Sequence, residues 1–183
     1  MNIAASAHKG QVRRYDNEPY INHPIRVAAT VSFLTDDSRI IIAALLHDTV
    51  EDTNITLTDI SHMFGLKVAL IVQDLTSTTT PEKDGNRKRR KELDLLRLKT
   101  ACQEAKMIKA ADLLDNGKAI FHHDPKFSPI YAREWEDILE EIQRHVPSSI
   151  IRESRSLLNG YREKEACQER EVSSPIGDAI QPR

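Results

Sequence analysis

No apolar run in this sequence is longer than Ile40 to Leu46. That is far short of the roughly 18 to 20 residues a membrane-spanning helix needs, so such a helix is excluded. Cysteine is scarce as well. The two present, Cys102 and Cys167, stand far apart and cannot frame a disulfide-stapled fold. The opening stretch Met1 to His8 has neither the positive start nor the longer apolar core of a secretory signal, so a reducing cytoplasm is the expected location. An excess of either charge is also missing. With 26 Lys+Arg against 28 Asp+Glu and a formal net charge of -2, the chain is too balanced to rely on counterion release from a nucleic-acid backbone, and nonspecific DNA binding is disfavoured as its main task. Aromatic residues make up 5% of the chain and there are no long strictly alternating stretches, which argues against a sheet protein. What is present is apolar spacing of three and four over 183 residues, the pattern of one all-α domain.

Pro24 can open a helix carrying Ile25, Val27, Ala28, Val31 and Leu34, and Asp36-Asp37-Ser38 supplies caps before Ile40 to Leu46, the expected central helix. Thr56 to Asp59 fits a capping box, and Gly65 sits where the short helix through Phe64 should end. A helix over about Leu66 to Leu75 follows. Thr76 to Asn86, rich in threonine with Pro81 and Gly85, reads as a loop before a helix that opens on Arg87 to Lys91. Helical patterns then cover about Glu104 to Ile120, Ser128 to Ile142, and a last segment from Pro147 to about Lys164. Residues 165–183 hold too few apolar side chains to offset the entropy of ordering them, so a folded domain over 1–164 and a disordered tail are expected.

The chemistry concentrates at His23, His47-Asp48, Glu51-Asp52 and Asp112. A His-Asp dipeptide alone is weak evidence, since this composition yields about 0.5 by chance, and a second one stands at His123-Asp124. The first is distinguished by ending the most apolar stretch of the chain, where an unpaired carboxylate would cost several kcal/mol. A metal ion would compensate it; so would a buried His-Asp hydrogen bond that merely supports the fold. Glu51 and Asp52 follow at i+4, which on a continuing helix lines four polar groups along one surface. Imidazole and carboxylate together can hold a divalent cation while a nearby carboxylate takes a proton from water. The absence of thiolate ligands suits manganese, iron or zinc at a catalytic centre better than a structural zinc.

Four blocks resemble a known family in order and spacing. They are His8-Lys9-Gly10-Gln11-Val12-Arg13-Arg14, Pro19 to Ile25, Ala43 to Thr53 and Ile108 to Asn116. Over roughly Met1 to Ile142 the chain is similar to HD-domain metal-dependent phosphohydrolases, and specifically to the hydrolase domain of RelA/SpoT enzymes and the stand-alone small alarmone hydrolases. The resemblance implies an HD-type helical bundle with a single metal-centred active site. It implies His23, His47, Asp48 and Asp112 as ligands of one Mn²⁺, and Glu51 and Asp52 as the pair that activates water. Arg13, with Arg14 beside it, and Asn116 would bind the nucleotide. The implied reaction is removal of pyrophosphate from the ribose 3′ position of (p)ppGpp, giving GDP or GTP, with a small nucleotide and neither nucleic acid nor membrane as partner. Where the family often has a basic residue after the last aspartate and His or Tyr before the asparagine, this chain has Leu113 and Asp115. These departures keep open another nucleotide substrate, for instance the 2′-phosphate of NADPH, or a metal- and nucleotide-binding sensor without turnover. The family's first helix is longer, so here it is shortened or the true start lies upstream.

Lys109, three residues before Asp112, can face a substrate phosphate or pair with Asp112. Arg87 to Lys91 reads first as a solvated helix start, and second as a phosphate-gathering patch at the mouth of the site. Tyr131 and Trp135, at i+4, are expected in the core, and His62 and His145 on the surface.

Overall fold

Residue spacing and end chemistry set the elements. The computed structural model describes residues 2–173, which form eleven helices and one isolated antiparallel bridge, Val12 with Pro19. After α1 (Asn2–Ala7), the chain turns through Gly10 (φ +83°) and Asn17 (φ +54°), and the bridge closes the loop that carries Arg13 and Tyr20. α2 (Asn22–Ser32) holds Pro24 in its first turn, where no intrahelical N–H donor is required. α3 (Ser38–Leu46) is capped by Asp37, whose side chain accepts from the Arg39 N–H. α4 (Thr49–Asp52) is a single turn. α5 (Leu57–Phe64) opens on the expected capping box of Thr56 and Asp59, and Gly65 (φ +91°) separates it from α6 (Leu66–Leu75).

The segment read as a loop contains a further turn of helix, α7 (Pro81–Asp84). Thr80 accepts from the Lys83 N–H and Pro81 occupies the first helical position, a start signal masked by the surrounding threonines. α8 (Arg87–Thr100) follows with Asn86 as its cap, then α9 (Gln103–His123), α10 (Ser128–Ile142) and α11 (Ser148–Ser173).

The all-α class is as expected, but the centre is not. α3 packs on α2, α6 and α9, whereas α9 touches α2, α3, α6, α10 and α11. α9 reads as less apolar than α3 because its buried stripe includes small and polar side chains, among them Ala105, Ala110, Asp112 and Gly117. Gly117 is there for space. A Cβ at that position would lie 2.3 Å from Cζ3 of Trp135, which is fully buried on α10. Tyr131 is buried beside it and donates to the Leu113 carbonyl (3.1 Å), so both aromatic residues are core, while His62 and His145 are exposed. α11 runs to Ser173, past the expected end of the last helix at about Lys164. The remainder of the expected tail lies outside the described residues. None of the described helices is long and apolar enough to cross a membrane.

Candidate metal centre and active site

His23 lies in the first turn of α2 and Asp112 in the middle of α9; His47 and Asp48 form the two-residue joint between α3 and α4. The helix does not continue through His47-Asp48 as the i+4 reading assumed. Nδ1 of His47 donates to the Ala44 carbonyl (2.8 Å) and the Thr49 hydroxyl donates to the Leu46 carbonyl (2.6 Å). These side chains take acceptors that the next helical turn would have used. The break turns both site residues toward α2 and α9 and leaves Glu51 and Asp52 on the separate turn α4.

Four side chains meet there. Nε2 of His23 lies 3.2 Å from Asp112 Oδ1 and 3.6 Å from Asp48 Oδ2, and Nε2 of His47 lies 3.1 Å from Asp48 Oδ2 and 3.8 Å from Asp112 Oδ1. One ligand atom each from His23, His47 and Asp112 falls within 4.8 Å of the others. Both imidazoles face it with Nε2. Because the Ala44 carbonyl can only accept, His47 carries its proton on Nδ1 when neutral, and its buried Nε2 has no aligned hydrogen-bond partner. An unpartnered nitrogen beside two carboxylates fits a divalent cation.

The electrostatics agree. Burial opposes charge on both imidazoles, yet the Asp48 and Asp112 carboxylates outweigh it at His47 and Asp112 and Asp115 do so at His23, so both pKa values are raised. Burial likewise opposes ionisation of Asp48, but His47 holds it down to about 2; Lys109 and the two histidines hold Asp112 well below the carboxylate range. Desolvation raises Glu51 against the opposing Ser77 N–H, which donates to it at 3.0 Å, and desolvation with the Asp48 charge raises Asp52. These two are the more basic carboxylates of the group.

The other expected residues divide. Lys109 pairs with Asp112 at 2.7 Å and also lines the adjoining cleft. Asn116 donates to Asp112 Oδ1 (2.5 Å) and accepts from Arg13 Nη1 (3.2 Å), so both adjoin the centre, with Arg13 buried. Arg14 is not brought in; it is exposed, its guanidinium over the Tyr15 ring. The cleft has a volume of about 670 Å³, with Glu51 and Lys109 at the end nearest the cluster. Arg87, Lys88 and Lys91 line it, so the basic run is more than a solvated helix start. Arg87 is engaged by Glu134 (2.8 and 2.9 Å) and Lys91 by Asp94, while Lys88 and Arg133 make no ion pair among the described residues.

Three residues at the site escaped the sequence reading as contributors. Tyr20 donates to Asp48 Oδ2 (2.7 Å), Gln11 donates to the Asp52 carbonyl (2.9 Å), and Asp115 Oδ2 meets His23 Nδ1 (2.7 Å). Tyr20 and Gln11 sat inside the matched blocks, and Asp115 had been noted only as a departure.

Fold and site together define an all-α protein with a two-imidazole, two-carboxylate centre adjoining a cleft that Glu51 and Lys109 line. The chain belongs to the HD-domain family, which matches residues 1–144. It is 44% identical over 119 residues to the Xenopus tropicalis guanosine-3′,5′-bis(diphosphate) 3′-pyrophosphohydrolase MESH1, covering 63% of this chain and 64% of that one. The Homo sapiens MESH1 is 41% identical over 118 residues, 62% of this chain and 63% of the relative. The chain thus spans somewhat under two thirds of these relatives' length. A solved structure described as a metazoan ortholog of SpoT that hydrolyzes ppGpp superposes with a TM-score of 0.77 at 27% identity, covering 87% of this chain and 91% of that one.

Proposed function

We propose that this protein is a (p)ppGpp 3′-pyrophosphohydrolase with one Mn²⁺ held by His23, His47, Asp48 and Asp112. The observation that carries the reading is the convergence of two Nε2 atoms and two carboxylates, one Nε2 buried and unpartnered, beside the more basic pair Glu51 and Asp52. The relatives named for this activity support the substrate. A cation at the cluster supplies Lewis acidity toward a phosphoryl oxygen and toward water.

The chain's own groups do the rest. Glu51 or Asp52 takes a proton from the water that attacks the phosphorus bonded to the ribose 3′ oxygen. The P–O3′ bond breaks, the 3′ oxygen is protonated, and GDP or GTP and pyrophosphate leave. Lys109, at the junction of centre and cleft, faces the phosphates, with Lys88 and Arg133 offering further positive charge along the cleft. Arg13 and Asn116 serve the nucleotide from the other side of Asp112. The two free cysteines suit a cytoplasmic enzyme.

The test measures pyrophosphate release, and orthophosphate release for monophosphorylated substrates, from purified protein given ppGpp, pppGpp, NADPH and other nucleotides at equal concentration, with and without Mn²⁺. Fastest turnover of the 3′-pyrophosphorylated nucleotides, dependent on Mn²⁺, is expected; preferential turnover of NADPH overturns the substrate, and no turnover of any nucleotide overturns the enzyme. Glu51→Gln combined with Asp52→Asn should lower kcat by about 10²- to 10⁴-fold, as loss of a general base does. Unchanged kcat removes the pair from the mechanism.

A further inference from the structure

His23 is held on both sides by α9. Asp112 and Asp115, three residues apart on one helix face, reach opposite nitrogens of the ring: Asp112 Oδ1 lies 3.2 Å from Nε2, and Asp115 Oδ2 lies 2.7 Å from Nδ1. The ring is almost completely buried, so no water competes for Nδ1. Asp115 is itself fixed. Its Oδ1 accepts from Arg26 Nε (2.6 Å) and its Oδ2 from Arg26 Nη2 (3.2 Å). Arg26 is in turn bracketed by Glu18 through Nη1 (3.0 Å) and Nη2 (2.5 Å), and Glu18 also accepts from Asn22 (3.0 Å). Arg13 Nη1 stands 3.7 Å from Asp115 Oδ2.

We infer that Asp115 is a positioning residue for the metal centre: its carboxylate, anchored by Arg26 and Glu18, keeps the His23 proton on Nδ1 and presents an electron-rich Nε2 to the cation. An ionised carboxylate flanked by guanidinium groups can only accept, so the ring must donate from Nδ1. That fixes ring orientation and tautomer and raises the basicity of the ligand nitrogen. His47 receives the same orientation from a neutral carbonyl, Ala44, and so has less electron density to offer. The inference rests on the proposal that this cluster binds a divalent cation.

Asp115→Asn and Asp115→Leu would be compared with wild type, His47→Ala and Arg26→Leu by titrating each metal-free protein with Mn²⁺, alongside thermal melts without metal. Asp115→Asn keeps an acceptor and loses the charge, and should weaken Mn²⁺ binding about tenfold; Asp115→Leu loses both and should weaken it about 100-fold. Arg26→Leu removes the α2–α9 ion pair but leaves Asp115 on His23, so it should lower the melting temperature with a smaller loss of affinity. If Asp115→Leu and Arg26→Leu reduce stability and affinity in parallel, Asp115 is a helix clamp and the inference fails. If wild type binds, His47→Ala does not, and both Asp115 variants bind like wild type, the inference fails while the metal reading stands. If wild type does not bind, or His47→Ala binds like wild type, the metal reading itself is wrong. Should the Asp115 variants not fold, ¹⁵N-histidine NMR of the Zn²⁺-loaded wild type decides: a proton on Nδ1 of His23 is expected, and metal on Nδ1 overturns the inference.

Discussion

Asp48 is the site residue whose contribution is easiest to isolate. His23, His47 and Asp112 bring ligand atoms together, and Asp48 joins them from the joint between α3 and α4, near both Nε2 atoms and tied to the Tyr20 hydroxyl. Asp48→Ala should therefore leave the helices intact, since its side chain caps no helix, while abolishing stoichiometric metal and turnover. Metal analysis of the purified variant beside wild type checks this, and a full equivalent of retained metal would take Asp48 out of the ligand set. At this scale the sequence was informative about which residues gather. His23, His47, Asp48 and Asp112 meet in space although they come from three separate stretches of chain, and each lies in a recognisable block. It was uninformative about what orients them. The contacts of Asp115, Tyr20 and Gln11 depend on how α2, α9 and the loop before α2 pack, and no local spacing encodes that packing.

At the scale of elements, local signals held where a side chain closes the backbone onto itself. The caps of α3, α5 and α8 and the proline-led start of α10 fall where the residue types require. Misreadings arose where side chains compete for helical carbonyls, as at His47 and Thr49. Nor did hydrophobicity identify the centre, because α9 is buried partly through small residues that let neighbours approach. Gly117 tests that account. Replacing it with alanine in the middle of a helix should gain roughly 1 kcal/mol in propensity. The new Cβ would lie 2.3 and 2.9 Å from two carbons of a rigid, fully buried indole, however, and overpacking of this kind typically costs about 1 to 3 kcal/mol and can exceed that where the neighbour cannot move. Net of that gain, Gly117→Ala should be destabilising in urea melts by up to about 2 kcal/mol; a stabilised variant would show that Trp135 is free to shift.

For the whole molecule, the charges gathered at the centre make stability depend jointly on metal and pH. Without metal, the folded-state pKa values of His23 and His47 are raised above their unfolded values of about 6.5. Their contribution is fully present below that unfolded value and is lost as pH rises through the folded ones. Glu51 and Asp52, also raised, act in the same direction at the acid end of the range. Asp48 and Asp115, depressed to about 2, contribute stability above their unfolded values and lose it only in strong acid, so they are constant across neutral pH. Over an assay interval from about pH 6 to about pH 9, the metal-free protein should accordingly lose stability as pH rises past the unfolded imidazole value of about 6.5. A bound cation reverses the trend, because it needs the neutral imidazoles and displaces their protons, so its affinity rises with pH. At a free concentration 100 times its Kd it adds about 2.7 kcal/mol, and Kd itself falls as the solution becomes more alkaline. The difference in melting temperature between Mn²⁺-loaded and chelator-treated protein should therefore widen steadily over that interval, and His47→Ala should remove it. A gap that is the same at both ends of the interval would mean that the cation does not compete with protons on these two rings, and would place its binding elsewhere in the molecule.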